Sequence, residues 1–344
     1  MSLAVAVLAI LVAGLTAYAV LGGADFGAGL WELESFRVQD GARLRSAIHR
    51  SVGPVWEANH VWLIFVLVVL WTAFPRGFAS IMSTLTIPLF LAAVGIILRG
   101  SAFAFQPHVA PGRPAHLVSI LFGVSSILTP FVMGAAVGGI ASGRVPVGNA
   151  AGDAIGSWLN PTSALTGALA VALGAHLAAI YLAADAASAG RSDLAERFRV
   201  RALVAGVVAG GLAIGGLLVV RSDAPKLWAG LTGDALPLVM LSAVCGAATL
   251  GLVATRHFGL ARFGGVGAVA PIVVGWAVAQ RPDLLPGALT VADAAATNPT
   301  LVALLIGVAV GACVLIPSLV WLFRLTLRGD LAKDGTDAET TGRA

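Results

Sequence analysis

The chain has 344 residues, of which 58% are hydrophobic and 11% are charged, and its formal net charge is +4. A soluble domain carries about a quarter charged residues, so this composition excludes an ordinary soluble protein and indicates a polytopic membrane protein. The basic balance does not indicate a nucleic-acid partner, because the basic residues follow a membrane topology, as described below. Cys245 and Cys313 lie in separate apolar runs without disulfide or metal-site spacing, which favours small core residues.

Nine apolar segments are long enough to span a bilayer, and they predict an all-α, polytopic membrane helix bundle. The predicted spans are residues 3–29, 51–73, 77–99, 115–141, 160–185, 201–220, 234–254, 261–280 and 299–323. We expect the first to be a retained helix rather than a signal peptide, because no Lys or Arg precedes it. Residues 1–328 are expected to form a single transmembrane domain, and residues 329–344 a disordered, polar cytoplasmic tail.

The distribution of Lys and Arg predicts the orientation of the chain, since cytoplasmic loops of membrane proteins are enriched in both. Of the 21 basic residues, sixteen fall on one side of a nine-helix arrangement. The other side carries the remaining five, which are Arg76, Arg144, Arg221, Lys226 and Arg281. The N-terminus is therefore predicted outside and the C-terminus in the cytoplasm.

The second segment, residues 51–73, contains an acid and an imidazole close to its cytoplasmic end, flanked by Trp56 and Asn59. Ionisable side chains are expensive inside a bilayer and usually mark function. Glu57 falls about 9 Å into this segment, and it shares a helix face with His60 at i, i+3. A carboxylate and an imidazole opening toward the cytoplasm are what a proton-entry path needs. No second axial ligand has suitable spacing, so metal ligation by His60 is disfavoured.

Four helices each place an ionisable residue near the predicted cytoplasmic side. These residues are Asp25, Glu57, Arg99 and Asp185, and Trp56 and Asn59 belong to the same polar layer. Two alternatives remain open at this stage. Arg99 and Asp185 could be interfacial residues that snorkel toward water. Asp25 could form a structural ion pair with Arg99, because the surrounding glycines permit close helix approach.

Several blocks of sequence resemble subunit II of the cytochrome bd quinol oxidases, and they occur in the same order over about residues 14–325. The blocks are GGADFGAG, GPVWEANHVWLI, LWTAFPRGFA, GIILRGSAFAFQ, LTPFVMGAAVGG, LNPTSALTGAL and LPGALTVADAAATNPTLVALLIG. The block around Glu57 is the most specific of them. The resemblance implies two four-helix bundles plus one peripheral helix, in a multi-pass protein of the bacterial cytoplasmic membrane.

The resemblance also implies a function within a two-subunit respiratory enzyme that oxidises quinol and reduces dioxygen to water. Subunit I would carry haems b558, b595 and d, whereas this chain would ligate no metal and catalyse nothing alone. Membrane lipid and a structural quinone are further implied contacts.

By resemblance, Glu57 and Asp25 belong to a cytoplasmic proton pathway, to which His60 adds a titrating group, and Arg99 matches the Arg of the third helix. Some members have Asp and Gln at the positions of Glu57 and His60, which leaves the arrangement of the water path open. The alternatives are a proton-coupled secondary transporter and a purely structural subunit.

Overall fold

The computed structural model describes residues 2–38, 40–52, 56–109 and 112–328. Within these ranges, eight helices are long and apolar enough to cross a membrane, and a shorter apolar helix covers Asn59–Ala73. The eight spans and the shorter helix correspond to the nine predicted segments, so the predicted all-α membrane fold is confirmed. A small antiparallel pair of strands near the end of the chain was not predicted.

The elements follow the chain in a simple order. The helices are α1 (Leu3–Ala17), α2 (Gly23–Ser35), α3 (Gly41–Val52), α4 (Trp56–Ala73), α5 (Pro75–Thr84), α6 (Thr86–Phe105), α7 (Arg113–Ala141), α8 (Pro161–Ser188), α9 (Ser192–Asp223), α10 (Pro225–Thr232), α11 (Leu236–Ala254), α12 (Phe258–Ala279), α13 (Val291–Ala294) and α14 (Asn298–Arg328). The strands are β1 (Asp283–Leu285) and β2 (Leu289–Thr290). A π-helical turn covers Tyr18–Gly22, and a 3-10 turn covers Gln106–His108.

The first span is longer than the sequence predicted. Helix α1, the π-helical turn and α2 form one continuous apolar span over Leu3–Ser35. The predicted segment ended at residue 29, so the structure adds a further turn and a half that includes Glu32. Single π-helical turns inside α-helices are rare and frequently lie at functional sites.

The region between the first and second spans was predicted as a loop and is instead partly helical. Helix α3 is amphipathic, with Leu44 and Ile48 buried one turn apart against the core formed by α8 and α9. Ser51 belongs to α3, whereas α4 begins at Trp56. The predicted segment 51–73 thus covers the end of α3 and all of α4, and its residues 53–55 lie outside the described residues, so the 9 Å depth of Glu57 stays a prediction.

The third span ends later than predicted, at Phe105 rather than residue 99. Arg99 consequently lies about 9 Å before the end of α6 rather than at its end. Its side chain is fully buried, which excludes the snorkelling alternative for this residue. The basic bias of the predicted cytoplasmic side persists without Arg99.

Close backbone contacts hold α2 between α7 and α8. A Cβ atom at Gly27 would overlap the carbonyl of Gly174, and one at Gly29 would overlap the Ser126 side chain. The indole Nε1 of Trp31 donates to the Ala175 carbonyl at 2.9 Å. Small residues at such crossings let membrane helices pack closely in the absence of a hydrophobic driving force between them.

The chain divides by its internal packing into two compact units, Met1–Ala295 and Ala296–Ala344. The second unit contains α14, which has Pro317 in its interior. The single domain proposed for residues 1–328 stays a prediction. The predicted tail, residues 329–344, lies outside the described residues.

Candidate functional site

A buried ion pair joins α2 and α6. Nη2 of Arg99 lies 2.7 Å from Oδ1 of Asp25, and each side chain is 1% exposed. The same nitrogen donates to the Asp25 main-chain carbonyl at 3.1 Å, and Nε of Arg99 donates to Oγ of Ser126 at 2.9 Å. The structure therefore contains the ion pair that the sequence allowed as an alternative for Asp25.

Aromatic rings enclose the guanidinium group of this pair. Its central carbon lies 4.9 Å from the ring centroid of Phe26 and 4.7 Å from that of Phe122. Such contacts stabilise a cation that has been removed from water. Oδ2 of Asp25 and Nη1 of Arg99 have no hydrogen-bond partner among the described protein atoms. The pair thus retains one acceptor and one donor for a further polar group, such as the water molecules that buried polar atoms commonly bind.

Helix α4 approaches the pair beside the π-helical turn. The His60 ring meets the Phe26 ring edge-on, with centroids 6.0 Å apart, and His60 interacts electrostatically with Asp25. Nδ2 of Asn59 donates to the carbonyl of Leu21 in the π-helical turn at 3.3 Å. Asp25 of α2, His60 of α4 and Arg99 of α6 are three of the predicted site residues, and they therefore lie close together in the interior of the bundle.

The structure does not describe the side chain that the sequence singled out first. The backbone of Trp56 and Glu57 forms the start of α4. Their side chains lie outside the described residues. Their predicted places, Glu57 on the proton pathway and Trp56 in the polar layer, stay predictions.

Asp185 lies apart from the Asp25–Arg99 pair. Its carboxylate accepts from the Arg262 guanidinium and from the Ser51 hydroxyl, and its side chain is 48% exposed. Gly27 is level with Gly174 on α8, so Asp185 lies about 16 Å further along that helix. The prediction that Asp185 shares the depth of Asp25 was therefore wrong, and its exposure agrees with the interfacial alternative.

A second buried polar cluster was missed by sequence reasoning. The side chain of Glu32 is 0% exposed, and its Oε2 lies 3.1 Å from Nε2 of His49 on α3. Nε2 of Gln106 donates to Oε1 of Glu32 and to Oγ of Ser119, each at 3.1 Å. The cluster was missed because residues 31–50 were predicted as a loop outside the membrane. The available signal was the seven-residue spacing from Asp25, which places both acids on one face of a helix.

His176 on α8 links two helices. Its Nδ1 lies 2.8 Å from the carbonyl of Ala202 on α9, and the ring is buried. Within the described ranges, no three His, Cys, Asp or Glu side chains are grouped so as to hold a metal ion.

Known proteins share both the sequence pattern and the fold. The family model for cytochrome bd terminal oxidase subunit II matches residues 3–326. A chain in the structure of the bd oxidase from Geobacillus thermodenitrificans is 25% identical, with a TM-score of 0.75. That superposition covers 95% of this chain and 99% of the other chain.

Curated relatives match over shorter stretches. The cytochrome bd ubiquinol oxidase subunit 2 of Bacillus subtilis (strain 168) is 31% identical over 114 residues, which is 33% of each chain. A putative cytochrome bd menaquinol oxidase subunit II of the same organism is 24% identical over 221 residues, or 63% of this chain and 62% of that one. The cytochrome bd-I ubiquinol oxidase subunit 2 of Escherichia coli (strain K12) is 27% identical over 129 residues, or 38% and 33%.

The alignments thus span about a third of the length of the Bacillus ubiquinol oxidase subunit and of the Escherichia coli subunit. The family model, in contrast, covers nearly the whole chain and includes the Asp25–Arg99 pair and all of α4. This multi-pass membrane protein therefore belongs to the cytochrome bd terminal oxidase subunit II family.

Proposed function

We propose that this chain is the non-haem subunit II of a cytochrome bd quinol oxidase in the bacterial cytoplasmic membrane. Its partner is subunit I, which carries haems b558, b595 and d and oxidises quinol while reducing dioxygen to water. The observation that supports this proposal is the family match over residues 3–326, together with a shared fold over 95% of the chain.

Within that complex, this chain supplies part of the proton path from the cytoplasm. Reduction of dioxygen to water consumes protons, and an electron entering a low-dielectric site is opposed unless a positive charge accompanies it. Glu57 is the relay acid nearest the cytoplasm, and Asp25 and His60 continue the path into the bundle. A neutral imidazole accepts a proton on one nitrogen and releases a proton from the other, which suits His60 to this task.

The Asp25–Arg99 pair supports this role because it keeps the interior polar at the point where α2, α4 and α6 meet. The positive charge of Arg99 compensates the carboxylate in a region from which bulk water is excluded. A proton moving past His60 then meets a compensated ion pair rather than hydrocarbon.

The role of Glu57 is tested by the turnover of the purified complex with quinol. We expect Glu57→Ala to lower the rate of oxygen consumption while the haem absorbance stays intact, and Glu57→Asp to be milder because it keeps a carboxylate. Glu34→Ala is the matched control, since Glu34 is a partly exposed acid that pairs with Arg201. Unchanged turnover of Glu57→Ala at neutral pH would remove the relay role.

Co-purification tests the class of protein itself. A partner with the absorbance of reduced haem d would support the oxidase, whereas flux of a substrate through this chain alone in liposomes would support the transporter alternative. Membership in the oxidase family does not favour the transporter. For a purely structural subunit, every acid substitution that permits assembly would keep full activity.

A further inference from the structure

The cluster around Glu32 lies where α2, α3 and α7 meet the short turn after α6, on the predicted cytoplasmic side. Glu32 is fully buried, whereas the His49 side chain is 27% exposed. The two residues therefore connect the surface to the interior through a single contact of 3.1 Å between Nε2 and Oε2. A buried carboxylate is costly unless it is paired or protonated, so this contact needs a reason.

Nε2 of His49 lies between two polar partners, and its role toward them depends on which ring nitrogen carries the proton. It lies 2.9 Å from Nε2 of Gln106 and 3.1 Å from Oε2 of Glu32. In the neutral tautomer with its proton on Nδ1, Nε2 can only accept, and Oε2 of Glu32 has no hydrogen-bond partner among the described residues. In the neutral tautomer with its proton on Nε2, that proton faces Glu32 and Nδ1 is the acceptor. This second tautomer can take up a proton on Nδ1 and release the proton on Nε2.

The interior end of this contact points toward the Asp25–Arg99 pair. Glu32 follows Asp25 by seven residues, so the two acids lie on the same face of α2, about 10 Å apart along the axis. Gly29 lies between them, and the Ser126 side chain fills the space beside it. Oγ of Ser126 accepts from Nε of Arg99. Ser126 thus lies beside α2 between the levels of Glu32 and Asp25, and it contacts the ion pair.

Five further charged or titratable groups on the elements around Glu32 have partners elsewhere. Arg45 on α3 donates to Ser35, Glu34 on α2 pairs with Arg201 of α9, His116 on α7 packs its ring on Phe36, His176 on α8 contacts the Ala202 carbonyl, and Asp185 on α8 pairs with Arg262. In the part of the chain that the structure describes, His49 is the titratable group within hydrogen-bonding distance of Glu32.

We propose that His49 and Glu32 form a second proton intake of this subunit, leading from the cytoplasm toward Asp25. His49 takes up a proton from water on its other ring nitrogen and releases the Nε2 proton to Oε2 of Glu32. The ring returns to its neutral form, the carboxylate becomes a carboxylic acid, and no electron is transferred. This inference rests on the proposed function, because the second intake supplies protons to the same reduction of dioxygen.

The test uses the complete complex with its partner subunit, assayed for oxygen consumption as a function of pH. His49→Ala and Glu32→Gln are expected to lower turnover severalfold toward alkaline pH, where protons are scarce and their uptake limits the rate. Added imidazole is expected to restore the rate of His49→Ala, since this position is partly exposed, whereas a ring-free buffer is not. His108→Ala is the matched control, because His108 is exposed on the neighbouring turn, with Nδ1 against the Ala104 carbonyl.

Two outcomes with the intake variants themselves would overturn the intake. One is parental turnover of both variants at every pH, and the other is a loss in His49→Ala that imidazole does not restore, as expected of a structural contact. If Glu32→Gln does not assemble, the rescue of His49→Ala decides alone. A loss in Glu57→Ala without one in His49→Ala would refute this inference and leave the relay role of Glu57 standing. Parental rates in all three variants would refute both.

Discussion

At the scale of single residues, the Asp25–Arg99 pair shows what a buried charge requires in this chain. Removing two charges from water costs several kcal/mol each, and their attraction offsets this only when the geometry and additional hydrogen bonds are favourable. Arg99 meets these conditions with the Asp25 carboxylate, the Asp25 carbonyl, Ser126 and two aromatic faces. Buried pairs of this kind contribute little net stability, but losing one partner is expensive.

Substitution of one partner should therefore be strongly destabilising. We expect Arg99→Gln to cost about 3–5 kcal/mol of unfolding free energy, because it leaves Asp25 as an uncompensated buried charge. The measurement is the Tm of the purified protein in detergent. Arg113→Gln is the matched control, since Arg113 is exposed at the start of α7. Adding Asp25→Asn to Arg99→Gln should recover part of the loss, and equal Tm values for Arg99→Gln and the parent would contradict the assignment.

The chemistry of single residues indicated several of the buried polar groups, but it did not indicate all of their partners. The sequence singled out Asp25, Arg99 and His60, and the structure brings these three together. It also placed Asp185 in their layer, although Asp185 pairs with Arg262 near the surface. Depth estimates from helix ends fail when an end is misplaced by a turn or more, as happened for α2 and α6.

At the scale of elements, the packing of α2 on α8 fixes the position of α2 along the bundle and therefore the positions of the side chains on α2. The close approach at Gly27 and Gly174 leaves no room for a side chain. Trp31 then donates to a carbonyl of α8, which fixes the rotation of α2 about its own axis. The faces of α2 that carry Asp25 and Glu32 are positioned by these contacts.

A methyl group at this crossing should separate the two helices. We expect Gly27→Ala to lower the Tm and the yield of assembled complex, because its Cβ would overlap main-chain atoms of Gly174 that cannot turn aside. Gly211→Ala is the control, since a Cβ there meets nothing within 4 Å. At that open helical position the alanine should be neutral, or stabilising by about 0.5–1 kcal/mol. A Gly27→Ala protein as stable as the Gly211→Ala protein would show that the crossing is loose.

Helix starts were partly predictable, and the reason is local. An Asn-Pro pair is a common start of a helix, and before α8 Oδ1 of Asn160 accepts from the Ser163 amide at 2.9 Å, with Pro161 in the first turn. Helix α3 was missed because its charged residues resemble a cytoplasmic loop. Its apolar positions, Leu44 and Ile48, have helical spacing but become meaningful only against the core that they cover.

At the scale of the whole molecule, the asymmetry of basic residues still predicts that the N-terminus faces outward and the C-terminus faces the cytoplasm. On the opposite side of the molecule, Arg144 pairs with Asp223 at 2.6 Å. This ion pair connects the end of α7 to the end of α9. Oδ2 of Asp223 also accepts from the Thr162 hydroxyl at the start of α8.

The orientation can be measured with single cysteines in a background that carries Cys245→Ala and Cys313→Ala. We expect Ala151→Cys to react with a membrane-impermeant maleimide in intact cells, because the segment after α7 faces outward. Ala189→Cys, which follows α8, should react only after the membrane is permeabilised. Both positions are exposed, so the two variants are controls for each other. The reverse pattern of labelling would invert the topology and move the proposed proton intakes to the outer side.

The sequence by itself determined that this is a polytopic helical membrane protein, and it predicted that Asp25, Glu57, His60 and Arg99 are its costly groups. These conclusions follow from composition, segment length and the free energy of burying charge, which are properties of residues rather than of their neighbours. The tertiary structure decided which groups meet. Arg99 contacts Asp25, and His49 contacts Glu32. These pairs form because the packing of α2 and α3 on α7 and α8 fixes the positions of the helices relative to one another, and residue spacing in the sequence does not determine those positions.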